Sequence, residues 1–181
     1  MNRSITGGRT LIRQDILIRP IRKEDIDAVQ DFLLQQLKEH LTQELQVSIN
    51  KDVWQLEITY LEPENSGMWG VFTREGELVG TAAVCPYNDR MALLKGRYDS
   101  KNTAEVGRCY IAKHLRRQGI GTRLFQIIAA FCQKQGYHIM YLHTHRFFPG
   151  GLKFWENQGF TITVDEEGAA QIIHMERVLL G

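Results

Sequence analysis

The fold is decided by one stretch of this 181-residue chain, AEVGRCYIAKHLRRQGIGTRLF, at positions 104–125. Its opening residues, 104–111, are typical of a strand, and apolar residues at helical spacing follow from Ile120. We predict a helix over 120–134, with Gly136 as its C′ residue. The first turn of a helix has N–H groups without intrahelical partners and carries partial positive charge. Strand, loop and helix start together therefore predict a site for an anion.

The loop before this helix carries the charge and the space that a phosphate needs. Arg116 and Arg117 add positive charge, while Gly119 and Gly121 remove two Cβ atoms, so a phosphate can approach the backbone. Several successive N–H groups suit a pyrophosphate better than a carboxylate. A Walker-type loop is excluded because no Gly-Lys-Ser/Thr follows, and the absence of G-x-G-x-x-G disfavours a Rossmann loop. A glycine turn that only lets strand and helix pack is the alternative interpretation.

Outward from this stretch, hydrophobic periodicity predicts the element order β, α, α, β, β, β, α, β, α, β, β. The predicted strands lie at 15–21, 68–73, 77–85, 104–111, 137–144, 160–164 and 171–178. Four helices are predicted: one that begins at Lys23, one through 53–61, one over 120–134 and one over 150–158. Residues 86–103 form a polar loop of the long kind that is usually functional or disordered. We find no repeat or interdomain linker, so the chain predicts one mixed α/β domain with Trp54 and Trp69 in its core.

Composition excludes several classes of protein. With 43% hydrophobic residues and a net charge of +1, the chain is neither disordered nor a strongly basic nucleic-acid binder. No stretch reaches the ~18–20 apolar residues that cross a bilayer. Residues 1–14 are predicted to be a polar, mobile arm rather than a secretory signal, with the domain itself over 15–181. The cysteines are odd in number and far apart, which favours reduced thiols, no metal and a cytoplasmic protein.

Further segments extend the pattern in the same chain order. Leu142-His143-Thr144 ends the next predicted strand, and FWENQGF at 154–160 is a short helix that closes on Gly-Phe. With 105–111, Arg116, Gly119 and Gly121, these segments resemble the GNAT superfamily of N-acyltransferases, which use acetyl-CoA or a related acyl-CoA. The resemblance implies an α/β (α+β) fold, with a central mixed, mostly antiparallel twisted sheet flanked by helices.

The resemblance also implies how the acyl donor is bound. Backbone amides at positions 118–122 would hold the CoA pyrophosphate, and the strand at 109–111 would pair with the pantetheine amides. The implied contacts to acetyl-CoA are Cys109, Tyr110, Ile111, Arg116, Arg117, Gln118, Gly119, Ile120, Gly121, Thr122 and Trp155. The reaction would be direct transfer of the acyl group from the thioester to an amine.

The catalytic residues are less sharply predicted. Glu105 stands where many relatives carry a carboxylate that takes the proton of the amine, although a solvated charge at a strand start is the alternative. Trp155 stands where many relatives have a tyrosine that protonates the departing sulfur, and an indole cannot act as a general acid. Either another group serves or none is needed. Tyr110, Tyr141 and Cys109 are the candidate donors, and Tyr110 joins Glu105 as the predicted catalytic pair.

Two histidines and a basic loop are candidates for contact with the acceptor. His143 and His145 lie two residues apart on a predicted strand, so both should face the same side. We predict that they line the acceptor pocket, and ordinary structural or solvated histidines are the alternative. Zinc is disfavoured because no third ligand stands at a familiar spacing. Phe148 stands where relatives often have an asparagine that contacts the cofactor. Basic residues of the 86–103 loop would either recognise an acidic acceptor or be solvated: Arg90, Lys95, Arg97 and Lys101.

We therefore expect an acetyl-CoA-dependent N-acetyltransferase that modifies a primary amine of a small molecule, a peptide or a protein. The expected partners are the acyl-CoA donor and this amine, with no nucleic acid and no membrane, and a homodimer is left open. An acyl-CoA-binding sensor without catalysis is the alternative, and a generic phosphate-binding domain is the third possibility.

Overall fold

The structure is a computed structural model that describes residues 16–40 and 51–179. The predicted N-terminal arm lies outside these described residues. Seven strands and four α-helices occur within them: β1 (Ile16–Pro20), α1 (Ile26–His40), α2 (Lys51–Trp54), β2 (Gly67–Thr73), β3 (Leu78–Pro86), β4 (Thr103–Ile111), α3 (Ile120–Lys134), β5 (Ile139–His145), α4 (Gly151–Asn157), β6 (Thr161–Asp165) and β7 (Ile172–Val178). The predicted order of elements is confirmed.

The strands form one mixed sheet in the order β1-β2-β3-β4-β5-β7-β6. Each neighbouring pair is antiparallel except β4 and β5, which run parallel. The parallel pair is joined through α3, as a parallel connection requires a crossover. The predicted mixed, mostly antiparallel sheet with flanking helices is confirmed.

Helix α3 begins and ends at glycines in the left-handed region. Gly119 is its N-cap at φ 77°, and Gly136 follows its C-cap at φ 79°. A positive φ is costly for residues with a Cβ, so both ends of this helix are set by the sequence. The predicted bounds, 120–134, match the observed ones.

Apolar side chains cover both faces of the sheet. On one face, α3 and α4 pack against the strands through a core that includes Leu124, Ile128 and Trp155. On the other face, α1 and α2 pack through a second core that includes Leu33 and Val53. A smaller third cluster of tyrosines joins the 86–103 loop to β5. Helices therefore cover both faces of the middle strand, β4, whereas the 86–103 loop covers one face of β5.

The predicted helical segment before Pro63 differs from the observed one. It divides into the short α2 and a π-helical turn, Glu57–Leu61. Val53, Leu56 and Tyr60 take its buried positions. Trp54, predicted to be core, is 63% exposed because it lies on the other side of this segment, whereas Trp69 is buried as predicted. Among the helices that the structure describes, none is both long and apolar enough to span a membrane.

Candidate active site

A cleft opens where β4 and β5 separate. Their parallel pairing covers three positions and stops at Glu105, which lies opposite Tyr141. Both strands continue beyond this point, to Ile111 and His145, and the space between them is a cavity of about 660 Å³. Its walls are β4, β5, the start of α3 and α4. Such a gap leaves backbone groups of β4 free to pair with an extended ligand.

A bulge in β4 helps to turn the strand at this cleft. The register with β3 shifts between Thr81 and Ala83, and Arg108 adopts a left-handed φ of 52°. The Thr81 hydroxyl donates a hydrogen bond of 2.7 Å to the carbonyl of Arg108. Bulges are frequent beside active sites because they redirect side chains. Here the guanidinium of Arg108 reaches Asp52 on α2.

The start of α3 faces the cavity and has the predicted positive character. Among the described residues, no side chain caps this helix and no acidic residue occupies its first turn. Arg116 and Arg117 line the cavity, and Lys153 joins them from α4. The Arg116 side chain is held in place because Nε donates to the carbonyl of Ile111 at 2.8 Å. Dipole and side chains therefore place positive charge at one end of the cleft.

The two glycines of this loop serve different physical purposes. Gly119 provides the left-handed N-cap and lines the cavity. A Cβ on Gly121 would lie 3.3 Å from the ring of Phe154, so this glycine allows α3 and α4 to pack closely as well as lining the cavity. The predicted role in phosphate approach stays a prediction for both residues.

Most of the predicted donor contacts line the cavity. The structure brings together Cys109, Tyr110, Ile111, Arg116, Arg117, Gly119, Gly121, Thr122 and Trp155. The other two are placed differently. Ile120 points into the main core, and the side-chain amide of Gln118 donates to the carbonyl of His114. The Ile120 side chain is therefore withheld from a ligand, whereas Gln118 is partly exposed and already bonded within the protein.

Glu105 is buried and held by an arginine from the long loop. Its side chain is 8% exposed, and Arg90 donates to both carboxylate oxygens, with Nη2 2.5 Å from Oε1. Burial raises the pKa of Glu105, but the hydrogen bonds from Arg90 and the proximity of His143 outweigh it and lower the pKa to about 2. A carboxylate in this state is a weak proton acceptor at neutral pH.

The two histidines predicted to line the acceptor pocket lie in different environments. His143 lines the cavity, and its Nδ1 lies 3.5 Å from Oε1 of Glu105. His145 is buried, with Nδ1 2.7 Å from the carbonyl of Ala170, and burial lowers its pKa. Phe147 and Phe148 pack against its ring. His145 is not among the residues that line the cavity, because its ring is covered at the end of β5.

Burial keeps the candidate proton donors on β4 protonated. The pKa of Cys109 is raised to about 12 by burial, and burial also raises the pKa of Tyr110. Both residues line the cavity. Tyr141, the third candidate, is fully buried, and its hydroxyl lies 2.7 Å from Nδ1 of His174. Tyr110 is thus the tyrosine that meets the cleft.

Trp155 is part of the core as well as the cavity wall. Its ring packs edge-on against Phe125, Phe154 and Phe160, at centroid distances of 6.0, 4.9 and 5.3 Å. Phe148 also lines the cavity, so an aromatic ring occupies the position discussed above for an asparagine. Both residues make this side of the cleft apolar.

Ion pairs within the protein involve much of the basic loop. Arg90 pairs with Glu105, Lys95 with Asp89, and Arg97 with Glu176. These three basic side chains already have acidic partners within the protein, so the cations of the loop are not all free to recognise an acidic acceptor. The Arg90–Glu105 and Asp52–Arg108 pairs were not predicted. No local pattern marks them, because each joins residues far apart in sequence.

Solved structures of acetyltransferases share this fold. An acetyltransferase of the GNAT family from Staphylococcus aureus Mu50 superposes with a TM-score of 0.73 at 18% identity, covering 91% of this chain and 99% of that chain. The PaiA N-acetyltransferase from Thermoplasma acidophilum, in complex with coenzyme A, gives a TM-score of 0.67 at 19% identity, with coverages of 91% and 99%. At such identities, the likeness concerns the fold.

Sequence comparison reaches one curated relative. The chain is 26% identical over 112 residues to the probable N-acetyltransferase camello of Xenopus tropicalis. The matched part is 62% of this chain but only 46% of that protein, so the chain aligns with less than half of its relative. The model of the Acetyltransferase (GNAT) family matches residues 33–160, which include the cleft, the α3 loop and α4. The chain belongs to the Acetyltransferase (GNAT) family.

Proposed function

We propose that this protein transfers an acetyl group from acetyl-CoA to a primary amine of a small molecule, peptide or protein. The cleft between β4 and β5 carries the proposal. One end meets the positively charged start of α3, while Glu105 and His143 lie where the two strands part. A donor with phosphates at one end and a thioester at the other matches this distribution of charge along the cavity.

The proposed donor position follows from the chemistry of the cavity wall. The backbone amides of 118–122 would hold the pyrophosphate, with Arg116, Arg117 and Lys153 beside it. The pantetheine arm would pair with the strand edge at 109–111, where β4 pairs with β3 on one side but no longer with β5 on the other. Phe148 and Trp155 supply apolar walls for the thioester end. The 660 Å³ cavity falls in the range of small-molecule sites.

Direct transfer is favoured over an acyl-enzyme. Burial raises the pKa of Cys85, Cys109 and Cys132 to about 12, so none is a thiolate at neutral pH. Since the thiolate is the nucleophile, these thiols are poor attacking groups. The amine would instead attack the thioester carbonyl itself, forming the C–N bond as the C–S bond breaks. Neutral Tyr110 is the proposed proton donor to the departing sulfur.

Binding and turnover test this proposal separately. Calorimetric titration with acetyl-CoA and CoA should show saturable binding that ATP at equal concentration does not match. A thiol-release assay across small amines, peptides and protein N-termini should then yield one equivalent of CoA per acetylated amine. Absence of binding would overturn the proposal, and equal binding of ATP would favour a general phosphate site.

A second candidate is an acyl-CoA-binding module without catalysis. It is favoured by Trp155, because an aromatic residue that cannot donate a proton to sulfur is packed firmly among three phenylalanine rings. Saturable acetyl-CoA binding without thiol release across the panel would support this candidate. The cytoplasmic location and the homodimer stay predictions.

A further inference from the structure

His143 occupies a distinctive place between a buried charge and the cavity. It lies on β5 two residues beyond Tyr141, at which pairing with β4 ends. Its side chain is 27% exposed and lines the cavity, whereas Glu105 behind it is 8% exposed. Nδ1 faces Oε1 of Glu105 at 3.5 Å, so Nε2, on the opposite side of the ring, faces away from the carboxylate. An imidazole so oriented offers a second nitrogen to a ligand.

The contacts of Glu105 suit it to orient this ring rather than to accept a proton itself. Arg90 holds both carboxylate oxygens, and its own Nη1 also donates to Oδ1 of Asn88 at 3.1 Å. The carboxylate therefore stays charged and fixed in position. A fixed negative charge beside an imidazole stabilises the imidazolium that forms when the ring accepts a proton.

The other titratable groups around His143 are engaged elsewhere. Tyr141 and His174 lie at ring-centroid distances of 6.5 and 6.4 Å, and they bond to each other. Nε2 of His174 also lies 2.6 Å from Glu166. His145, the next imidazole along β5, bonds to the carbonyl of Ala170. Of these three imidazoles, His143 alone lines the cavity.

We propose that His143 is the base that accepts the proton from the acceptor amine, with Glu105 and Arg90 as positioning residues. This assignment rests on the proposed acetyl transfer. The neutral amine attacks the thioester carbonyl, the C–N bond forms, and the extra proton on nitrogen passes to Nε2. The C–S bond breaks, its electron pair leaves with the sulfur of CoA, and the sulfur takes a proton from Tyr110, which regains one from solvent. The imidazolium then returns its proton to solvent.

The test compares three glutamine variants of the full chain in the thiol-release assay. His143→Gln should lower kcat/KM for the amine by about 100-fold or more, the usual contribution of general base catalysis. His138→Gln changes an exposed histidine at the entry to β5 and should leave the rate unchanged. Glu105→Gln should lower the rate less than His143→Gln does. Calorimetry should find the same acetyl-CoA affinity in all variants.

The pH profile and chemical rescue separate a base from a structural residue. After correction for the fraction of neutral amine, the wild-type kcat/KM should still fall on the acidic side, and this limb should disappear in His143→Gln but persist in Glu105→Gln. Added imidazole should raise the rate of His143→Ala in proportion to its concentration. Loss of the acidic limb in Glu105→Gln, with its persistence in His143→Gln, would assign the base to Glu105 and overturn the proposal. A wild-type protein that binds acetyl-CoA without any turnover would instead overturn the proposed function.

Discussion

Arg108 joins the bulge of β4 to Asp52 of α2 through two hydrogen bonds. Nε lies 2.8 Å from Oδ2, and Nη2 lies 2.5 Å from Oδ1. The Tyr60 hydroxyl donates to the same carboxylate at 2.7 Å. Since β4 forms one wall of the cleft, this ion pair fixes α2 against the strand that lines the cavity.

Breaking this pair should destabilise the fold. Asp52→Asn leaves the largely buried Arg108 without its counter-charge, and we expect the free energy of unfolding to fall by roughly 3 kcal/mol. Tyr60→Phe removes one neutral donor from the same carboxylate and should cost about 1 kcal/mol. Urea unfolding measures both. In a double-mutant cycle, the Asp52→Asn and Arg108→Gln effects should not add, and simple additivity would contradict the coupling.

The two terminal glycines of α3 provide a matched test of the donor site. Gly119→Val and Gly136→Val each place a β-branched residue at a positive φ, 77° and 79°, so both should lower stability. Only Gly119 lines the cavity. We expect acetyl-CoA affinity, measured by calorimetry, to fall tenfold or more in Gly119→Val and to stay unchanged in Gly136→Val. Equal loss in both variants would indicate a general effect of helix strain.

Stability should depend on the ionisation of Glu105. Its pKa is about 2 in the folded protein against an ordinary value of 4.5, so the folded state favours the charged form. This stabilisation is present above about pH 4.5 and is lost as the pH falls towards 2. Glu105→Gln should therefore flatten the decline in the free energy of unfolding across this interval. Chemical unfolding at a series of pH values measures this decline. An equal slope in wild type and in Glu105→Gln would contradict the prediction.

Cys109 should be dispensable for acetyl transfer. Because burial raises its pKa to about 12, the thiol lines the cleft without being a nucleophile at neutral pH. Cys109→Ala should keep kcat within about a factor of five. Loss of a nucleophilic thiolate would lower kcat far more, but the wild-type protein has no thiolate here to lose. Mass spectrometry of wild-type protein incubated with acetyl-CoA alone should find no acetyl group on cysteine. A cysteine adduct that an amine discharges would refute direct transfer.

Tyr110 should act on the departing thiol and not on donor affinity. Tyr110→Phe removes the hydroxyl, and because a thiol is already a fair leaving group we expect kcat to fall about tenfold, below the usual range for acid catalysis. Tyr137→Phe removes another tyrosine hydroxyl, which donates to the carbonyl of Asn65 away from the cleft, and should leave kcat unchanged. Steady-state kinetics with acetyl-CoA should leave its KM similar in both variants. Equal kcat in Tyr110→Phe and wild type would remove Tyr110 from this role.

The sequence by itself determined the elements and the helix start at the cleft. Periodicity within short windows predicted the order of all eleven strands and helices, and Gly119 and Gly136 marked both ends of α3, because these features depend on residues close in sequence. Arg116, Arg117 and the strand before them were found for the same reason. Trp54 was misplaced because several apolar residues in its segment compete for one buried face.

Only the tertiary structure decided which charges meet and which histidine reaches the cleft. Arg90 pairs with Glu105 across 15 positions, and Asp52 with Arg108 across 56, so no local pattern could reveal either. His143 and His145 are equivalent by spacing alone. Their difference arises because β4 and β5 diverge beside His143, while the chain around Ala170 covers His145. Side-chain chemistry at this site is therefore set by contacts that form only when distant strands and loops assemble.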